Sequence, residues 1–330
     1  MIERRIQMLS FKDFSDRVKS EILDFLPGGG EGYSVEETKT QKVNQGEVSM
    51  LSVRRKGEAI AASFPLEGIY RDYGKSGLDF ATFFPEFASQ FCGQALSVPA
   101  DIVSHANEIM EMNWEHIKHM VYVHAIGASR NEELLKTVPH KQVGDVCAVY
   151  RVHLADSPNG SATVLITDAI AKRLNVSVEE LHKTAVKNSE DRYPPICLRM
   201  SDMLNALDVP VPFSIDPEAD ELYVLTNSDK SQGAGVIFYS NVADTIYKNM
   251  PENYYLLPSS VHEWLVVSKN RADKETLEEM VRAVNESTVD PKEQLSDMVH
   301  EYDPVRKLVY AGNLPDPPKK EIMAEKAMTR

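Results

Sequence analysis

One short stretch, Leu257-Pro258-Ser259-Ser260-Val261-His262-Glu263, gathers hydroxyl, imidazole and carboxylate groups. That set could run hydrolysis, with Ser260 or Ser259 as nucleophile and His262 as its base. In an extended stretch, neighbouring side chains alternate between faces. Ser260 and His262 would then share a side while Glu263 points away, so the acid orienting the imidazole must come from elsewhere. No Gly-x-Ser-x-Gly elbow lifts either serine. The competing reading is a hairpin turn whose hydroxyls satisfy backbone groups, with His262 hydrogen-bonded at the start of a strand.

A second group, His116, His119 and His124, stands near Glu111, Trp114 and Glu115. His116 and His119 are three apart, project from one helical face and could share a metal. The order Glu115-His116-Ile117-Lys118-His119 is not the His-Glu-x-x-His of zinc peptidases, and Lys118 sets a positive charge between the two ligands. Surface or capping histidines are the simpler account. The Gly28-Gly29-Gly30 and Gly233-Ala234-Gly235 stretches lack the Gly-Lys-Ser/Thr of a phosphate loop, and the first follows a helix. No cofactor is implied.

The 330 residues include 36 basic and 50 acidic side chains, a formal charge of −14. That balance disfavours nucleic acid, whose binding needs a basic face. No apolar run approaches the ~18 residues of a membrane span, and residues 1–7 form an upstream extension without a signal-peptide core. Cys92, Cys147 and Cys197 are odd in number and widely spaced, the pattern of buried free thiols in a reducing, cytoplasmic compartment. Residues 271–303 hold ten acids against four bases. Such a run is ordinarily a solvated face; its functional alternative is docking to a basic protein partner.

Hydropathy patterning supplies the elements that must position these groups. Ser10 and Asp13 open a helix with an apolar stripe of Phe11, Phe14, Val18, Ile22 and Phe25, stopped by Pro27 and the glycines. A charged meander follows over 33–43, 47–55 and 59–64, turning at Lys56-Gly57. Residues 78–120 read as Phe-rich helices broken near Ser97-Val98-Pro99, 121–126 as a strand, and 131–136 as a short capped helix. Strand-turn-strand-helix units then recur. The first has strands at 146–154 and 163–166, with helices capped by Thr167 and Ser177. The second has strands at 222–226 and 235–239 and a helix capped by Ser240, and the third has strands at 254–257 and 264–267 and a helix near 276–285. Strands 222–226, 236–239 and 264–267 are apolar on both faces and belong inside a shared sheet roofed by helices, whereas 146–154, polar on its second face, belongs at the periphery. The fold class is α+β with a mostly antiparallel sheet. Its regions are 8–126, 127–312 and a tail from 313 to 330.

Several segments resemble an uncharacterised bacterial family, the domain of unknown function 5688, frequent in anaerobic gut bacteria. They include Met8–Phe14, Asn131–Leu135, Val164–Thr167, Val178–His182, Met200–Leu204, Leu222–Asn227, Tyr254–Glu263 and Leu295–Asp297. Leu-Pro-Ser-Ser-x-His-Glu is the most specific of them. The resemblance implies an architecture and no reaction, and it carries no histidine pattern around residues 116–124. The sequence therefore reads as a soluble cytoplasmic binding or regulatory protein without chemistry of its own. The alternatives are a hydrolase centred on His262 with Ser259 or Ser260, and a metal-binding protein using His116 and His119.

Overall fold

A computed structural model describes residues 8–58, 61–96, 113–157, 160–206, 222–251, 253–271, 273–303 and 308–311. The expected upstream extension, the break at Ser97–Pro99, Glu111 and the tail all lie outside these residues.

Ser10 Oγ accepts the Asp13 N–H at 3.2 Å and starts α1 (Phe11–Glu21), whose Phe14 and Val18, with Ile22 just beyond, are buried on one side. The chain then takes a 3-10 turn, Ile22–Phe25, and breaks at Gly28 and Gly29, both left-handed at φ 67° and 65°. The meander follows as β1 (Tyr33–Lys42), β2 (Gly46–Arg55) and β3 (Ala62–Pro65), paired antiparallel in that order. The sequence reading passes over α2 (Leu66–Ser76), which follows Pro65 and has no side-chain cap to announce it. With α1 and α3 (Phe80–Leu96) it encloses a separate core in which the Phe80 and Phe84 rings stack 4.9 Å apart.

The second core begins with α4 (Trp114–Ile117) and β4 (Val121–Gly127). Next come α5 (Glu132–Leu135), β5 (Lys141–Val143), β6 (Val146–Ser157), β7 (Gly160–Leu165), α6 (Asp168–Leu174) and α7 (Val178–Arg192). Thr167 and Ser177 cap α6 and α7 through the N–H groups of Ile170 and Glu180. The chain continues through β8 (Pro195–Arg199), α8 (Met200–Ala206), β9 (Leu222–Asn227) and α9 (Val242–Tyr247). It closes with β10 (Tyr254–Pro258), β11 (Trp264–Ser268), α10 (Lys274–Ser287), β12 (His300–Asp303) and β13 (Leu308–Ala311).

Every described strand pair is antiparallel, and the fold is α+β. The shared sheet expected of the second half is two sheets. One has the order β4-β6-β5 with β7 also on β6, and the other runs β13-β12-β10-β11-β9-β8. The main core lies between them: Val123, Ala125, Tyr150 and Val152 from one sheet and Leu225, Leu256, Trp264 and Val266 from the other belong to one buried cluster. The opposite face of the larger sheet packs Leu257 and Val267 beneath Leu277 and Val281 of α10. The inner strands are therefore covered on both sides, as their apolar composition requires.

Further expectations fail. Residues 235–239 are not a strand: Gly233–Phe238 is a buried 3-10 helix against β9 and the free edge of β4. An apolar run this short fits a strand or a buried helix equally well, and Gly233 decides it. A Cβ there would lie 2.0 Å from Thr226 Oγ1 and 2.6 Å from the His262 carbonyl oxygen. The recurrence of strand-turn-strand-helix units therefore breaks in its second member. Ser240 does not cap α9; its hydroxyl donates to the Glu190 carboxylate at 3.0 Å. Strand 146–154 is central to its sheet, since β6 pairs with β4, β5 and β7. Its second face is partly polar because half of it is roofed by Leu134 of α5 and the other half floors a cavity.

Asn131, the first residue of the expected capped helix, makes no side-chain bond to α5. Its amide instead donates to the Gly127 carbonyl and to Asn44 Oδ1, both at 2.8 Å. Asn44, left-handed at φ 60° in the β1–β2 turn, also donates to the carbonyls of Lys292 and Gln294. This amide clasp seats the tip of the N-terminal hairpin on the second core.

Candidate functional site

The outer face of β4, β6 and β7 carries Tyr122, His124, Arg151, His153, Ser161 and Thr163 into a cavity of about 430 Å³. Antiparallel register sets Tyr122 opposite Arg151 and His153 opposite Thr163, so strand alternation alone gathers these polar groups on one side. The remaining walls are Val43 of the hairpin tip, Ser189 and Tyr193 near the end of α7, Asn227, Asp229, Ser231 and Gln232 following β9, and Lys292. A volume of this size suits a metabolite-sized ligand.

Arg151 Nε donates to Thr163 Oγ1 at 2.8 Å, and among the described residues the guanidinium meets no carboxylate. Burial pulls its pKa below the usual arginine range. His124 Nδ1 donates to Gln232 Oε1 at 3.3 Å, and burial, reinforced by the charge of Arg151, lowers its pKa to about 4. His124 is therefore neutral at physiological pH. Asn227 is 5% exposed; its Nδ2 donates to the Ser231 carbonyl, which leaves Oδ1 buried without a partner.

The loop after β9 is held in an unusual shape. Lys230 and Gln232 both adopt left-handed backbone, at φ 58° and 51°. Gln232 keeps that conformation because its N–H donates to His262 Nδ1 at 3.1 Å while its side chain accepts from His124. His262 Nε2 faces Glu293 Oε1 at 3.6 Å. Through Gln232 the loop is thus tied both to the cavity floor and to the turn between β10 and β11.

That turn contains the whole Ser-Ser-x-His-Glu stretch. Ser259 and Ser260 both donate to Glu263 Oε1, at 2.8 and 2.9 Å, and Ser260 Oγ accepts the His262 N–H at 3.0 Å. The hydroxyls thus point to the carboxylate and the imidazole to the loop. None of Ser259, Ser260, His262 and Glu263 lines the cavity, although their neighbour Val261 does. His116 and His119 are exposed on another part of the surface, with His116 Nδ1 at 2.7 Å from Asn113 Oδ1. No group of three or more His, Cys, Asp or Glu side chains suited to a metal occurs among the described residues.

The family of unknown function DUF5688 matches residues 11–304, nearly the whole chain. The chain belongs to this family. No curated protein and no solved structure is detectably similar to it. Within this DUF5688 chain the sequence singled out His262 and its neighbours but passed over Arg151, Asn227 and Gln232. Only the alternation of Arg151 and His153 with the apolar residues of β6 signalled a polar second face. As in the sequence reading, the three cysteines are free and buried. Among the described residues no helix is long and apolar enough to cross a membrane.

Proposed function

We propose that this protein works by binding: a cytoplasmic bacterial accessory or regulatory module that takes a small polar molecule into the cavity on the outer face of β4, β6 and β7. The observation that carries the reading is Arg151. A guanidinium taken largely out of water without a counter-charge costs several kcal/mol, and a core built for stability has no use for one. Around it, Asn227 and the loop from Asp229 to Gln232 are fixed by bonds that hold their shape before any ligand arrives, which lowers the cost of binding. A basic protein partner would meet the acidic 271–303 segment, whose Lys292 also lines the cavity. The acidic balance supports neither nucleic acid nor another polyanion as partner. Free buried thiols support the cytoplasmic placement.

The test is a ligand-detected NMR screen of small polar molecules against the wild type and Thr163→Phe. The larger side chain fills the cavity floor and releases the Arg151 Nε. Molecules bound by the wild type are expected to lose binding in the variant while the far-UV spectrum stays unchanged. Equal binding by both proteins would place the ligand elsewhere.

A further inference from the structure

The charges in the cavity wall are Arg151, Lys292 and Asp229, and none of them forms an ion pair with another described residue. Two cations against one acid leave the enclosure with positive charge unspent. Arg151 is also set in a definite orientation: Thr163 Oγ1 occupies its Nε, so the two Nη groups remain as a planar pair of donors. A pair of this kind matches the two oxygens of a carboxylate or phosphate. A separate observation points the same way. Asn227 Nδ2 is committed to the Ser231 carbonyl, so the atom left over at that wall is an acceptor, Oδ1, buried and unpartnered. It asks for a donor, which a hydroxyl- or amine-bearing organic molecule can present from its body while its charged group rests on the guanidinium.

We infer that the cavity binds a small organic oxyanion, a carboxylate or a phosphate monoester, with its charged group on the Nη pair of Arg151 and a hydrogen-bond donor of its body directed to Asn227 Oδ1. This rests on the binding reading above and narrows it to one ligand class. Tyr122 and Tyr193, whose rings lie 5.7 Å apart at the same cavity, give the organic part of the ligand an aromatic wall.

The experiment is calorimetric titration of the whole chain with glycerate, with glycerol 3-phosphate and with inorganic phosphate. Chloride at matched ionic strength is the control for screening. Glycerol, the neutral counterpart, is titrated in parallel with the screen of neutral molecules. One of the two organic anions is expected to bind saturably at one site and more tightly than inorganic phosphate; which one binds separates a carboxylate ligand from a phosphorylated one. Arg151→Met should weaken that binding at least about tenfold. Arg151→Lys, which keeps the charge and loses the planar pair, should fall between them. Asn227→Leu should weaken the organic anion and leave inorganic phosphate unchanged, a split that a folding defect would not produce. If neutral molecules bind and neither organic anion does, or if Arg151→Met binds the anion as well as the wild type, the oxyanion assignment is wrong while the binding reading stands. If nothing binds the wild type, both fail.

Discussion

His124 illustrates how one residue links the cavity to pH. In the folded chain its pKa is about 4, and burial is the main cause. In the unfolded chain it titrates near 6.5. Below pH 6.5 the unfolded chain gains a proton that the folded chain refuses. The stability contributed by neutral His124 is therefore complete above about pH 6.5 and drains away as the pH falls toward 4. The loss amounts to about 1–3 kcal/mol, because a residue beside a cavity is only partly shielded from water. Burial depresses His182 in the same direction, so it adds to the slope. Urea midpoints at pH 7 and 4.5 should differ by less in His124→Gln than in the wild type; an unchanged difference would mean that the imidazole protonates freely in the fold.

Among the elements, the 3-10 helix Gly233–Phe238 does the most to place the site. It seals the free edge of β4, anchors Trp264 through the bond from its indole Nε1 to the Ala234 carbonyl at 2.9 Å, and starts directly after the strained Gln232. Gly233 permits this by admitting three groups into the space of a side chain: Thr226 Oγ1, the His262 carbonyl oxygen and the Asn227 N–H. Gly233→Ala should therefore cost about 2–4 kcal/mol, at the upper end of overpacking, read as a lowered melting temperature. A variant that melts like the wild type would show that the loop does not depend on this close approach. The same element marks where sequence reading stops. Caps such as Ser10, Thr167 and Ser177 are legible because the bond lies within three residues of its partner. Strands β9, β10 and β11 are legible because two-sided burial leaves an apolar signature. Gly233–Phe238 carries that same signature, and what tells it from a strand is the close approach to Gly233 of the Thr226 hydroxyl and the His262 carbonyl it donates to, 36 residues apart in sequence. The cavity is less legible still, because its walls come from segments scattered between Val43 and Lys292 and no local rule connects them. The Ser-Ser-x-His-Glu stretch was conspicuous for its chemistry. In the structure its side chains close a turn and hold the loop that walls the cavity.

The whole molecule has two hydrophobic cores, one under the N-terminal meander and one between the two larger sheets, joined at the Asn44–Asn131 clasp. The cavity sits beside that joint, and Val43 of the hairpin tip forms part of its wall. Around it the fold holds polar groups that contribute little to cohesion, and a protein keeps such groups when they serve a ligand. The most direct measurement of this claim is the unfolding free energy of the ligand-free protein and its Arg151→Met variant, by urea titration at pH 7. Replacing an uncompensated guanidinium with an apolar side chain of similar length should raise stability by about 1 kcal/mol while binding is lost. A fall of more than about 2 kcal/mol would contradict the account, because it would make Arg151 a structural part of the fold.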